Sequence, residues 1–582
     1  MSSAAKAKNK PQAGTYNGAD AVVDALRAQG VELIFGMVGG QIMPVYDALH
    51  RHHCFGHVLV GHEQGAAHMA EGYARATGKP GVIMTTSGPG ATNLVTGLAD
   101  AFMDSTPVVA ITGQVASTLL GNDAFQEADM RGITMPITKH NYQVQNADDL
   151  PEIFAEAFYV ALSGRPGPVL IDLPRDVAVS PCQPRQATPM PPTGYKPPFK
   201  PHPLQVERAL SLMAQAQRPV IIAGGGVIHA GAHESLRKLA ELTGFPVSTT
   251  LMGLGGLPAD HPLSLGMPGM HGTGYANLAI YNADLLLVVG CRLDDRVTGN
   301  VAKFSPGSKV IHVDVDASEI GKNLECQVPI VGDAGQALAQ LLAGAQAWPE
   351  RPDTTAWRKQ IDQWKKKYPM VYPKSDDVIA PQWAIQEVGK LLAPEDIVVT
   401  GVGQHQMFVA QYYPFRRPRT MISSGGLGTM GFGLPAAIGA QMGAPERQVV
   451  CFDGDGSFLM NIQELATAVR YRVPLVAVVL NNAWLGMVAQ WQRMFYDRRM
   501  SQSETAAPPY DKVAQAFGAL GKRVERPEEF VPAMQWALRE AKAQKLPVVL
   551  DVMIEREAKV LPMVPPGGAN AEFIPCQSGD CQ

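Results

Sequence analysis

Two short segments in the last third of the chain combine residue types that hold metal ions and phosphates. Gly454-Asp455-Gly456-Ser457 follows an apolar run at 449–452 and Asn481-Asn482 follows another at 475–480, which sets a carboxylate and an amide 27 residues apart at two strand-like ends. Mg²⁺ takes hard oxygen ligands in an octahedron, only a few of them from protein. The Asp455 carboxylate and the Asn482 carbonyl oxygen supply two, and the flanking glycines let backbone approach a diphosphate without an intervening Cβ. Either segment alone is an ordinary turn former; together, in this order, they point to a metal-diphosphate site. A third candidate, Glu63, lies in His62-Glu63-Gln64-Gly65-Ala66-Ala67-His68-Met69-Ala70, whose small residues predict a closely packed helix rather than a solvent-facing one. A carboxyl held out of water can exchange a proton with a bound base. The stretch from Gly72 to Lys79 resembles a phosphate loop only superficially, because Pro80 stands where Ser or Thr is required.

The elements that must position these residues form an α/β pattern. Apolar runs at 31–35, 82–86, 108–112 and 169–173 alternate with helix-length segments, and the alternation resumes at 220–223, 285–289 and 310–315 and again at 397–400, 449–452, 475–480 and 548–553. Such alternation produces βαβ units. The expected fold is therefore α/β with three domains, each built around a parallel β-sheet flanked by helices, at 17–180, 205–348 and 379–568. A flexible segment (1–16), a Pro-rich linker (181–204), a connector with a polar helix at 354–368 (349–378) and a tail (569–582) complete the chain. Open parallel sheets collect ligands beyond the C-terminal ends of their strands, where Asp455 and Asn482 fall.

A net charge of −4 gives no footprint for nucleic acid or an anionic membrane, and no stretch approaches the roughly 18 apolar residues of a membrane span. The seven cysteines are scattered, without CxxC spacing. A cytoplasmic, small-molecule enzyme is the expectation.

The GDG and NN segments match the diphosphate and metal motif of thiamin-diphosphate enzymes, and the resemblance extends much further. HEQGAAHMAEGYARATGKPGV (62–82), TSGPGATNLVTG (86–97), GRPGPVLIDLPRDV (164–177), DDRVTGN (294–300), GVGQHQMF (401–408), SSGGLGTMGFGLPAAIGA (423–440), GDGSFLMNIQELATA (454–468) and NNAWLGMVAQW (481–491) make the chain similar to the acetolactate synthase (acetohydroxyacid synthase) catalytic subunit family. That resemblance implies thiamin diphosphate, Mg²⁺ and FAD as cofactors. It also implies the joining of pyruvate to a second pyruvate or to 2-ketobutyrate, the first common step of branched-chain amino-acid synthesis. The first domain would bind the cofactor's pyrimidine, the second FAD, and the third the diphosphate and Mg²⁺.

Carried over residue by residue, the resemblance makes Glu63, Gln126, Met430 and Trp491 catalytic. It gives the metal Asp455, Asn482 and the backbone carbonyl of Trp484. Around thiamin diphosphate it places Gly40, Pro89, Asn93, Val402, Gly403, Gln404, His405, Gly428, Met430, Gly454, Asp455, Gly456, Ser457, Asn482, Trp484, Leu485, Gly486 and Met487. Around FAD it places Arg165, Gly224, Gly225, Gly226, Thr250, Leu251, Met252, His271, Gly290, Arg292, Asp294, Arg296 and Asp314. It further implies a homodimer or tetramer with each active site between two chains, Glu63 from one and Asp455 and Asn482 from the other, and a small regulatory subunit as partner.

The chain departs from the family pattern at Met37-Val38, where Tyr-Pro is common, at Arg175 for Lys and at Leu293 for Phe. Spacing alone leaves Met430 and Trp491 as core or interface residues. The rival readings are a thiamin-dependent pyruvate oxidase, decarboxylase or other carboligase and, from another class, a non-catalytic flavin-binding subunit.

Overall fold

A computed structural model of the chain describes residues 16–187 and 191–576. The expected flexible segment therefore lies, apart from Tyr16, outside the described residues, as do the last six residues of the tail. Three sheets follow one another along the chain, every pairing within them parallel. The first contains β1 (Leu33–Gly36), β2 (Gly56–Leu59), β3 (Gly81–Thr85), β4 (Val108–Gln114), β5 (His140–Gln143) and β6 (Pro168–Pro174), in the order β2-β1-β3-β4-β6-β5. The second contains β7 (Pro219–Ala223), β8 (Val247–Thr249), β9 (Leu285–Val289), β10 (Lys309–Asp314) and β11 (Val328–Val331), in the order β11-β10-β9-β7-β8. The third contains β12 (Ile397–Thr400), β13 (Met421–Ile422), β14 (Val449–Gly454), β15 (Val476–Asn481), β16 (Leu520–Val524) and β17 (Val548–Met553), in the order β13-β12-β14-β15-β17-β16. Every interior strand coincides with an apolar run in the sequence, shifted by at most two residues at an end. The six strands that the runs do not mark, β2, β5, β8, β11, β13 and β16, are the six sheet edges.

Interior strands are buried on both faces, as in β4 and β6, because helices cover each side. The helix that carries Glu63 spans Glu63–Thr77, is capped by the His62 side chain accepting from Gln64 N, and stops at Gly78 in the left-handed region (φ 77°). Its small-residue face lies on the Gly433–Gly443 helix of the third sheet. A Cβ on Gly72 would stand 1.9 Å from Ala436 O, and one on Gly439 would stand 1.8 Å from Met69 O, so the two backbones touch where the glycines are. The Ala and Gly residues around Glu63 thus weld the first domain to the third, the close packing their pattern predicts.

Beside this contact runs a buried polar seam. Arg75 donates to Asp104 (2.9 Å) and to Ser423 O, Asp104 accepts from Gly425 N (2.8 Å) and Gly426 N (2.7 Å), and Ser424 Oγ donates to Asp100 (2.8 Å). From Pro181 to Phe199 the described residues contain no helix or strand beyond one bridge from Pro181 to Asn17. The next helix, Pro203–Gln215, starts inside the expected linker because Pro suits a first helical turn. The helix Thr355–Lys367 docks on the second sheet through Trp357, whose indole donates to Pro219 O (3.1 Å). Among the described residues no helix is long and apolar enough to cross a membrane.

Candidate active site

Each sheet reverses its strand order between its first and third strands, and in such folds the crevice beyond that point takes the ligand. In the third sheet the strands concerned are β12 and β14. The turn after β12 opens the helix Gln404–Tyr412, the turn after β14 opens the helix Asp455–Met460, and the neighbouring β15 ends in Asn481 beside Asn482. A cavity of about 90 Å³ lies there. Val402, Gly403, Gln404, His405, Met430, Gly454, Asp455, Gly456, Ser457, Asn482, Trp484, Leu485, Gly486 and Met487 line it, so all the expected diphosphate-side residues except Gly428 converge on one place.

The donor set there is hard oxygen. Asp455 is 1% exposed, and burial raises its carboxyl above the usual range against the opposing hydrogen bond from Thr505 Oγ1 (2.5 Å). Asn482 Oδ1 accepts from Trp484 N and Asn481 Oδ1 from Ala483 N, each at 3.1 Å, two successive turns that force Ala483 to a left-handed φ of 56°. Ala483 O and Leu485 N pair with the segment Ser503 to Thr505. Glycines leave room beside them: a Cβ on Gly456 would meet Leu485 Cδ2 at 2.6 Å, and one on Gly454 would meet His405 Nδ1 at 2.7 Å.

Several buried polar atoms here make no hydrogen bond within the protein, Trp484 Nε1 among them. His405 Nε2 makes none, lying 3.4 Å from Asp453 Oδ1, and burial pushes this ring down to about 3, so it is neutral. Asp453 Oδ2 is likewise unpaired, and burial pushes that carboxyl up to about 7. Oxygen ligands at two strand ends, glycine turns and an unpaired buried ring nitrogen fit a metal-bound diphosphate.

At the switch point of the second sheet, between β7 and β9, a cavity of about 1040 Å³ opens. Arg165, Gly225, Gly226, Thr250, Leu251, Met252, His271, Gly290, Arg292, Asp294, Arg296 and Asp314 line it. Gly224 does not; a Cβ there would stand 2.2 Å from Gly290 O, so this glycine serves the packing of the two turns. Arg165 is held by Glu319 (2.9 Å) and Ser105 Oγ (2.9 Å). Burial lowers His271 to about 4 and raises Asp314 to about 6. A cavity of this size, with three arginines and mostly apolar walls, suits a dinucleotide such as FAD. It also reaches Gly428 and Trp491, and it shares Val402, Gly403, Met430 and Met487 with the smaller cavity. Met430 therefore stands where the two meet, and Trp491, on the helix Gly486–Phe495, faces the larger.

The remaining expected residues gather at the switch point of the first sheet, beyond β1 and β3. Glu63, 7% exposed, accepts from Asn93 Nδ2 (2.9 Å). A Cβ on Gly90, next to Pro89, would lie 3.4 Å from Glu63 Oε1, and one on Gly88 would lie 2.8 Å from Gln126 Cβ. Gln41 N, beside Gly40, donates to Thr86 Oγ1 (3.3 Å). Neither cavity is lined by Gly40, Glu63, Pro89, Asn93 or Gln126. Within one chain these residues form two separate groups. Sequence reasoning missed Thr505, Asp453 and Glu464, whose carboxylate accepts from Gly61 N (3.1 Å) and His62 N (2.9 Å) and so pins the turn before Glu63. Asp453 was visible as the acid preceding Gly454, whereas Thr505 and Glu464 carry no local signal.

Comparison with known proteins gives a consistent picture. Residues 16–133 match the family of thiamine pyrophosphate enzymes at the N-terminal TPP binding domain, 206–341 at the central domain and 401–552 at the C-terminal TPP binding domain. The chain is 50% identical over 565 residues to acetolactate synthase of Mycobacterium leprae, covering 96% of this chain and 90% of that protein. It is 48% identical to the acetolactate synthase large subunit of Corynebacterium glutamicum (96% and 90% covered) and 46% identical to the acetolactate synthase isozyme 3 large subunit of Escherichia coli (96% and 98% covered).

Proposed function

Because the chain belongs to the acetolactate synthase family of thiamin-diphosphate enzymes, we propose a division of labour for its residues in that reaction. The enzyme decarboxylates pyruvate and transfers the remaining two-carbon unit to a second 2-keto acid, either pyruvate or 2-ketobutyrate. Bound thiamin diphosphate supplies a carbon nucleophile and an acceptor for the electrons left behind by CO₂.

Asp455, the Asn482 side-chain carbonyl and the Trp484 backbone carbonyl would hold Mg²⁺ beside the diphosphate. The turns after β12 and β14 would orient the diphosphate, and the neutral His405, whose Nε2 makes no hydrogen bond within the protein, could bond it. Glu63, oriented by Asn93, would hold and return the proton at the pyrimidine N1′. Met430 would contact the bound cofactor where the two cavities meet. Gln126 would contact substrate, and Trp491 would shape the wall met by the second keto acid. A fitted apolar contact discriminates one methylene by about 1–3 kcal/mol, enough to favour 2-ketobutyrate over pyruvate. Closing the site against water keeps the two-carbon unit from being released by simple protonation.

FAD would occupy the central cavity without a net redox role, and a small regulatory subunit would associate with the large one. The observation that carries this reading is the convergence of Asp455, Asn482 and the glycine turns on one crevice while Glu63 stands at another. Each active site would then pair Glu63 of one chain with Asp455 of a second, making a homodimer the smallest working unit.

The test is incubation with pyruvate, thiamin diphosphate and Mg²⁺, with and without FAD and 2-ketobutyrate. Acetohydroxy acids, converted by acid to acetoin and its homologue, are the expected products. Pyruvate consumption that yields only acetaldehyde, or that tracks O₂ uptake, overturns the proposal.

A further inference from the structure

Thr505 lies outside every motif in the sequence, yet its Oγ1 donates to Asp455 Oδ2 at 2.5 Å. Its position is enforced from several sides. Thr505 N donates to Ala483 O (2.9 Å) and Leu485 N to Ser503 O (2.7 Å), making a short antiparallel clip across Trp484 and Glu504. Glu504 pairs with Arg556, and the guanidinium groups of Arg556 and Arg493 lie 5.0 and 5.1 Å from the centre of the Trp484 ring. Tyr510 OH meanwhile donates to Asp455 O (2.6 Å), so backbone and side chain of Asp455 are both held.

A carboxylate that has one oxygen committed to a hydroxyl donor presents chiefly the other to a metal. Mg²⁺ accepts single-oxygen carboxylate ligands in a strict octahedron, whereas Ca²⁺ takes six to eight ligands and is favoured by carboxylates free to bind through both oxygens. We infer that Thr505 sets the cation selectivity of this site: by holding Asp455 Oδ2 it keeps the carboxylate monodentate and favours Mg²⁺ over Ca²⁺. The inference rests on the proposed metal role of Asp455 and Asn482. Thr505 is a positioning residue, acting on the ion through Asp455.

The test measures Mg²⁺ and Ca²⁺ binding by calorimetry on metal-stripped full-length protein with saturating thiamin diphosphate, for wild type, T505S, T505V and T505A. Removing the donor in T505V or T505A should weaken Mg²⁺ by about 10-fold and Ca²⁺ by much less, so the Ca²⁺/Mg²⁺ affinity ratio rises by about fivefold or more. T505S, which keeps the hydroxyl, should retain the wild-type ratio. Both ions are measured on the same protein, so a general loss of stability does not mimic a change in the ratio. An unchanged ratio in both donor-less variants, with wild-type binding intact, overturns the inference while leaving the metal site standing. Failure of the wild type to bind either ion overturns the metal site itself and this inference with it.

Discussion

The first and third sheets share one strand order, with the second strand at one edge and the fifth at the other, and they reverse at the same point. What stands beyond that point differs. In the third sheet the turns carry His405, Asp455 and Ser457, with Asn482 at the next strand end, around a formed cavity. In the first sheet the equivalent turns carry small residues, Gly39, Gly88, Pro89 and Gly90, and one carboxylate, Glu63, delivered from the side by a helix and met by Asn93. One topology thus supports a charged cradle at one end of the chain and an apolar cradle with a single acid at the other. Chemistry resides in the turns while the sheets set their spacing.

The comparison predicts that damage to the two cradles has different kinetic signatures. Glu63→Gln should lower kcat for acetolactate formation by about 10²–10⁴-fold while cofactor affinity, followed by calorimetry, changes little; a loss of binding instead would erase the distinction. Asp455→Ala should do the reverse, lowering Mg²⁺-dependent affinity for thiamin diphosphate by about 100-fold, with activity regained only at very high cofactor and metal.

Mixing the two variants sharpens the contrast further. If the cradles come from different chains, random reassociation of Glu63→Gln with Asp455→Ala subunits leaves one intact site in each mixed dimer, and activity should recover to about a quarter of the wild-type value. No recovery would mean that both cradles of a site belong to one chain.

The seam that joins the two sheets can be tested by stability. Gly439→Ala, which would gain about 1 kcal/mol in an exposed helix, should instead cost about 1–3 kcal/mol, because its Cβ meets Met69 O at 1.8 Å. Denaturant midpoints would show it.

The smallest effect belongs to the central sheet, which lacks a counterpart to the sixth strand. Burial raises the Asp314 carboxyl from the usual aspartate value of 3.8 to about 6 in the folded chain, so folding favours its protonated form. That contribution is complete below about pH 4 and is lost as pH rises through 6. Asp314→Asn should therefore gain about 1 kcal/mol on wild type between pH 5 and pH 7, seen as a difference in Tm that widens with pH.

The legibility of the fold follows burial. Interior strands such as β9, Leu-Leu-Leu-Val-Val, and β4 are covered on both faces and show as continuous apolar runs. Edge strands do not: β5 reads His-Asn-Tyr-Gln and β16 Leu-Gly-Lys-Arg-Val, half open to solvent, while β8 and β13 are only three and two residues long. They become strands because a neighbour offers hydrogen bonds, which leaves no period in their own sequence.

The candidate site divides the same way. Asp455 and Asn482 were legible because residue type, glycine neighbours and strand ends coincide, and Glu63 because small residues surround it. Thr505 and Glu464 were not, since each acts through hydrogen bonds to partners distant in sequence, 50 and more than 400 residues away.

By itself the sequence determined the three α/β layers, the parallel order of their interior strands and the residue types at the turns, since periodicity and glycine placement are local physics. Only the tertiary structure decided that Met430 stands between two cavities, that Thr505 holds Asp455, and that Glu63 lines neither the cavity around Asp455 nor the larger one. Those are distances between segments far apart in the chain, set by how whole layers pack.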